Sequence, residues 1–301
     1  MRPQPDGTLV IDPVRGSPPL KKRQIDVSGI MGEALTRDMI AAYLAGYDVI
    51  ELKANRILAE QKKIIRNVCH KLIGPEIIEE TAKSVLIQDL LNPNEISIKK
   101  SVRRMFLISN SMHTEAVRAL KNRDTDLALD VIQRDDEVDR LFLLIAKQFR
   151  SVLRGARLPD TSDTSIDEYH DLRMAAGPLE RIADHAHRIA NMVDTMDCTI
   201  PDEIMDYVEK ASDTSRKIVE DAIDALYNSD VTLANEVIGR VDEMRAQIST
   251  LNKSLITLKS YQAVVTLRTV ADSIDRTGDY GANIAEIAIN TAMTCFTKNE
   301  I

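Results

Sequence analysis

The chain has 301 residues, 44% hydrophobic and 29% charged, which is enough apolar material for one large or two ordinary domains and too much for global disorder. Aromatics make up only 4%, with no Trp, and neither a GxGxxG nor a GxxxxGK[ST] loop is present. That argues against an aromatic-lined pocket for a sugar, nucleobase or cofactor. The net charge of −8 disfavours the chain as a general nucleic-acid binder.

Five of the ten prolines fall in residues 1–19. This stretch is read as an irregular tail, with a turn at Asp6-Gly7 and a short strand at Thr8 to Ile11. Residues 1–23 hold five bases against two acids, a net +3 on an otherwise acidic chain. Residues 20–95 alternate between periods. Gln24 to Val27, Asp48 to Leu52, Ile77 to Thr81 and Val85 to Leu90 have strand patterns. Glu33 to Ala45 and Leu58 to Ile73 have helical ones, closed by Gly46 and by Gly74-Pro75. The predicted order is βαβαββ, a small two-layer α/β unit.

From Ser97 the period is helical. Ile98, Val102, Met105, Ser109, Met112, Ala116 and Ala119 step by four and three, as a heptad-like seam does. A second helix carries Leu127, Val131, Val138, Phe142, Ile145, Phe149 and Val152. A third follows the polar break Gly155 to Ser165, and Pro178 is expected to kink it. Pro201 opens a fourth helix, Asn228-Ser229-Asp230 marks the next turn, a fifth runs to about Lys259 and a sixth to about Phe296.

The six helices are two copies of three. At an offset of 106, Ala119-Leu120 matches Ala225-Leu226, Asp124 matches Asp230, Val131-Ile132 matches Val237-Ile238 and Arg134 matches Arg240. Asp136-Glu137 matches Asp242-Glu243. The third helices align at an offset of 95, Glu180 to Asp184 on Asp275 to Asp279. The fold class expected is therefore mainly α: two tandem three-helix bundles, 96–198 and 199–301, preceded by the α/β unit.

Carboxylates stand beside the apolar seams. Asp135 and Asp139 are four apart and flank Val131, Val138 and Phe142. Glu180 and Asp184 repeat the spacing beside Leu179 and Ile182, and Asp275 and Asp279 beside Ile274. Stacked like charges destabilise a helix, and burying them costs more unless a cation compensates. A metal with oxygen ligands held between bundle helices would do so. The alternative is a solvated face neutralised by Arg134, Arg140, Arg181 and Arg276. His187, three after Asp184, is a further donor candidate, but no helix carries Glu-x-x-His and Ala282 stands at its aligned position. In the second copy Val241 aligns with Asp135 and Arg245 with Asp139, so metal is expected more strongly in the first bundle. The cysteines, Cys69, Cys198 and Cys295, form no CxxC pair, which points to a reducing compartment. No apolar run reaches the length of a membrane span and no signal peptide opens the chain. A soluble cytoplasmic protein is expected.

Glu180-Arg-Ile-Ala-Asp-His-Ala186, with Asp275-Arg-Thr-Gly-Asp-Tyr-Gly-Ala-Asn-Ile-Ala-Glu286, resembles the duplicated third-helix signature of the PhoU phosphate-uptake regulators. Arg134-Asp-Asp-Glu-Val-Asp139 is similar to the motif of their second helix. The resemblance covers about 97–296. With Gly46-Tyr-Asp-Val-Ile50 and Arg103-Arg-Met105, the whole chain resembles the archaeal form, in which an AbrB-like DNA-binding segment and a small α/β segment come first. Asp6 to Ile11 resembles only the last hairpin of such a segment.

The resemblance implies a cytoplasmic, non-enzymatic negative regulator of phosphate uptake and phosphate homeostasis. It would contact the phosphate ABC transporter through its ATPase, or a phosphate-signalling protein, and form a homodimer. It would hold iron, zinc, manganese or magnesium on Asp135, Asp139, Glu180, Asp184, Asp275 and Asp279. The alternatives are a DNA-binding transcriptional regulator of phosphate genes and a carboxylate-bridged metal enzyme. The latter needs an open coordination position and a walled cavity, for which the sequence offers little.

Overall fold

A computed structural model describes residues 2–3, 9–10, 20–91, 96–153, 164–196 and 198–296, with backbone alone at 2, 3, 9, 10, 295 and 296. The chain forms two compact units, one ending at Leu91 and the other running from Asn92 onward, with Lys71–Ile73 counted in the second.

In the first unit β1 (Arg2–Pro3) pairs antiparallel with β2 (Leu9–Val10), part of the strand expected at Thr8 to Ile11. The Asp6-Gly7 turn and the remaining tail lie outside the described residues. Then follow β3 (Lys22–Asp26), α1 (Gly32–Leu44), β4 (Val49–Lys53), α2 (Ala59–His70), β5 (Pro75–Glu80) and β6 (Ser84–Asp89), the expected βαβαββ order. The sheet order is β3-β4-β6-β5. β3 and β4 are parallel across the α1 crossover, and the β5–β6 hairpin adds antiparallel to β4. Ile50, Leu52, Val85 and Ile87 are buried, as are Leu35, Met39, Ile65 and Val68 of the helices. Buried Gln61 ties the turn after β3: its Nε2 donates to the Val27 and Ile30 carbonyls at 2.8 and 2.9 Å, and its Oε1 accepts from Leu58 N–H at 2.8 Å.

The second unit is helical. The first repeat comprises α3 (Ile98–Asn122), α4 (Thr125–Leu153) and α5 (Ile166–Asn191). The second comprises α6 (Asp202–Asn228), α7 (Val231–Gly239), α8 (Val241–Ser254) and α9 (Tyr261–Phe296). The repeat is visible in the turns. Arg123 and Ser229, 106 apart, both close their helices in the left-handed region, at φ 54° and 52°. The next residues, Asp124 and Asp230, cap the following helices by accepting from Leu127 and Leu233 N–H, each at 3.0 Å. Such a cap stabilises a helix by about 1 kcal/mol and offsets the left-handed residue before it.

Two expectations change in detail. The fifth helix is interrupted at Arg240, whose N–H is shared between the Glu236 and Val237 carbonyls. Gly239, the poorest helix former after proline, precedes the break; Gln133 stands at its counterpart, where α4 is continuous. Conversely α5 runs unbroken through Pro178. The ring removes one N–H donor, the one that would bond the carbonyl of Met174, an exposed residue.

The two repeats share one hydrophobic core. α3 packs on α6 and α5 on α9. Asn110 accepts from Arg216 at 3.1 Å, and these two positions are 106 apart. The His185 and Tyr280 rings, 95 apart, lie 5.8 Å from one another. Equivalent residues therefore meet at both crossings, which places a pseudo-two-fold axis between the repeats. Gly281 lies where α9 presses on α6: a Cβ there would meet Ile218 Cγ2 at 2.7 Å and Val219 N at 3.0 Å.

Candidate functional site: two acidic strips

In the first repeat, the apolar stripes of α4 and α5 face the core and bring their flanking carboxylates side by side. Asp135, Glu180 and Asp184 are half-buried, while Asp139 is more open to solvent. Asp135 Oδ2 lies 2.7 Å from His187 Nδ1. Asp184 pairs with Arg181 at 3.0 Å, and Glu180 lies 3.4 Å from the same guanidinium. Among the described residues Asp139 makes no hydrogen bond or close ion pair, and only the charge of Lys71 opposes its neighbours.

The electrostatics show that these groups feel one another. Loss of hydration, then the carboxylates of Asp135 and Asp184, hold Asp139 up at about 6. Asp135 is raised by burial, against the pull of His187. Glu180 is raised by burial and by Asp184. Four carboxylates thus stand with Arg181 and His187 as their paired cationic groups and Lys71 as a weaker opposing charge, so negative charge is in excess here.

The second repeat is arranged differently. Arg245 Nη2 sits 3.0 Å from Asp279 Oδ1, and Arg276 lies 3.7 Å from the same carboxylate. Val241, the counterpart of Asp135, is buried in the core. Asp275 is raised by burial and by Asp279, with Arg245 and Arg276 opposing, and its Oδ1 is buried without a partner. The six predicted carboxylates thus fall into two strips, four in the first repeat and two in the second, and an arginine answers only the second pair from the facing helix.

A hard cation would suit the first strip chemically: four carboxylates and one imidazole, with weak local compensation. Among the described residues no three His, Cys, Asp or Glu side chains stand close enough to hold one ion as placed. Sequence reasoning missed the polar centre between the repeats. His113 is fully buried, with Nε2 3.0 Å from Ser212 Oγ and Nδ1 3.4 Å from Thr277 Oγ1. Burial, with Arg216 and His185, depresses it to about 3, so it is neutral. The available signal was its place four residues after the seam residue Ser109. Also missed were the pairs Arg134 with Glu115 and Arg240 with Asp221, equivalent under the 106 offset.

The architecture defines a class: a tandem, pseudo-symmetric pair of three-helix bundles with an acidic strip on each repeat. The PhoU domain matches residues 102–193 and 208–288, more than half of the chain and both repeats. The chain belongs to the PhoU family. It is 28% identical over 182 residues to a phosphate-specific transport system accessory protein PhoU homolog of Pseudomonas putida, covering 58% of this chain and 70% of that protein. Crystal structures of PhoU from Pseudomonas aeruginosa (TM-score 0.57, 22% identity, 65% of this chain and 96% of that one) and of the PhoU regulatory protein from Streptococcus pneumoniae (0.56, 19%, 64% and 92%) share its fold. Among the described residues no helix is long and apolar enough to cross a membrane.

Proposed function

We propose that the chain is a non-enzymatic regulator of phosphate transport that acts as a helical adaptor. The observation that carries this reading is the match of the PhoU domain to both repeats, joined to relatives described as accessory proteins of phosphate-specific transport. The partner would be the ATPase of a phosphate ABC transporter or a phosphate-signalling protein, met in the cytoplasm as a homodimer, and the effect would be negative regulation of uptake. The test is transport itself. In cells that depend on their own phosphate ABC transporter, deleting this gene should raise phosphate uptake in rich medium. Unchanged uptake would overturn the reading.

The finer part of the proposal is a cation on the first strip. Asp135, Asp139, Glu180 and Asp184 would hold it, with His187 as an additional donor, and it would supply the positive charge that this strip lacks. Iron, zinc, manganese and magnesium all accept oxygen donors. The second strip, with Asp275, Asp279 and Arg245, would bind less. Protein purified without chelator should contain metal by elemental analysis. Glu180→Gln combined with Asp184→Asn should remove it without loss of the helical circular dichroism signal. Full metal content in that double variant would exclude the site.

A further inference from the structure

The α/β unit, which lies outside the matched PhoU region, ends its sheet on an unusual edge. β3 is paired with β4 on one side, and among the described residues nothing pairs with its other side. The parallel register, with Val49 N–H donating to Lys21 and Val27 N–H to Lys53 O, turns the backbone of Lys21, Arg23, Ile25 and Val27 inward. The N–H and C=O groups of Lys22, Gln24 and Asp26 therefore point outward, three successive unused donor and acceptor sets. Edges of this kind pair with another chain unless blocked by proline, a bulge or covering structure. β3 has no proline or bulge.

The side chains specify the occupant. We infer that β3 is the antiparallel, two-fold interface with a second copy of this chain. Centred on Gln24, that pairing sets Lys22 opposite the partner's Asp26 and Asp26 opposite the partner's Lys22. Within one protomer, among the described residues, Lys22 has no acidic partner and Asp26 has no basic one; Asp26 accepts from Ser28, from its N–H at 2.9 Å and from its side chain. The unmatched charges are thus self-complementary in this register, with the sign and spacing that cross-strand ion pairs use. The outward backbone groups also agree, since the three residues that would exchange hydrogen bonds are the three that face away from β4. Behind the edge, on the helix side, lies a hollow of about 370 Å³ lined by Arg23, Ile25, Asp38, Ala41 and Tyr47 among others. Asp38 has no ion-pair partner among the described residues. In the same register the partner's Arg23 stands opposite Ile25, at the mouth of this hollow and on the side of Asp38. Two four-stranded sheets would become one continuous sheet.

The inference places the homodimer of the functional reading at β3, and the charge variants test that interface separately from any regulatory role. It is tested by sedimentation velocity on the full chain at tens of micromolar. The wild type should be a dimer, or an assembly containing one. Lys22→Asp and Asp26→Lys should each weaken association about tenfold, because both cross-strand pairs turn repulsive. Mixing the two variants should restore association, since one then offers two acids and the other two bases. Circular dichroism verifies that each variant is folded, and the double swap within one chain should associate like the wild type even if a single variant folds poorly. A monomeric wild type, as expected if residues 1–19 of the same chain took the edge, overturns the inference. So does association unchanged in both single variants, or not recovered in either the mixture or the double swap.

Discussion

The two repeats answer the same problem differently. Each puts an acidic pair beside its apolar seam on its third helix. The second repeat supplies Arg245 from the neighbouring helix at 3.0 Å and fills the other position with buried Val241. The first keeps Asp139 and Asp135 at the equivalent sites, and the ionisation of Asp135, Asp139 and Glu180 is resisted by lost hydration and by neighbouring carboxylates. One duplicated frame therefore holds a strip answered by an arginine of the facing helix and a strip with more carboxylates than paired cations. Duplication conserved the packing positions and left the charge at two positions free to diverge.

The largest expected effect comes from cutting the joint on which the comparison rests. His113 occurs only in the first repeat, with Val219 at its counterpart, and bonds to two residues of the second. His113→Ala should cost about 3 kcal/mol or more, from a cavity plus the buried Ser212 hydroxyl left without its partner, read by urea unfolding. Its pH signature has a definite sign. With a folded value of about 3 against 6.5, the folded chain binds fewer protons than the unfolded one in between. The stability from a neutral His113 is thus fully present above pH 6.5 and lost as pH falls towards 3. His113→Gln should flatten the acid side of the Tm profile; an unchanged slope would show that another group governs it.

A smaller effect should separate the helix crossings of the two repeats. Gly281→Ala should cost about 1–3 kcal/mol, because the added methyl meets Ile218 and the backbone of Val219. Its counterpart in the first repeat is Ala186, which carries that methyl in a fully buried position. Ala186→Gly should also destabilise, by about 1 kcal/mol, through backbone freedom and lost packing. A stabilising Gly281→Ala would show that the second crossing has slack.

The smallest effects should have opposite signs, and they test the comparison most directly. Arg245→Ala should cost about 0.5–1 kcal/mol, most at low salt, since that ion pair is partly exposed. Asp139→Asn should raise Tm at pH 7 in chelator. Because the folded Asp139 titrates near 6, above its ordinary range, the folded state binds the extra proton at intermediate pH. The penalty grows as pH rises from about 4 through 6, so the advantage of Asp139→Asn should fade on acidification. A loss of stability in Asp139→Asn under chelation would contradict the reading of the first strip as carrying excess negative charge.

Much of the fold was legible because periodicity and punctuation are local. The step of four and three from Ile98 to Ala119 marked the buried face of α3, and Asp124 and Asp230 marked the caps between helices. Gly46 and Gly74 closed the α/β elements where the backbone takes φ of 72° and 105°. The break at Arg240 and the continuity through Pro178 were not legible, since a single glycine or proline shifts a helix by amounts that neighbouring packing can override. Of the site, the spacing of the six carboxylates and the substitution of Arg245 could be read along one chain. The Asp135–His187 contact could not, because it joins helices 52 residues apart.

The sequence by itself determined the helical seams, the duplication, the α/β order and which side chains carry negative charge beside the core, because each depends on neighbours three, four or about a hundred residues away in a repeating register. Only the tertiary structure decided which charges are answered. That depends on which helices lie side by side: α8 brings Arg245 to Asp279, α4 and α5 crowd four carboxylates together, and the pseudo-two-fold packing buries His113 between the repeats. Coulomb interactions and desolvation depend on distance through space, which the order of residues does not contain.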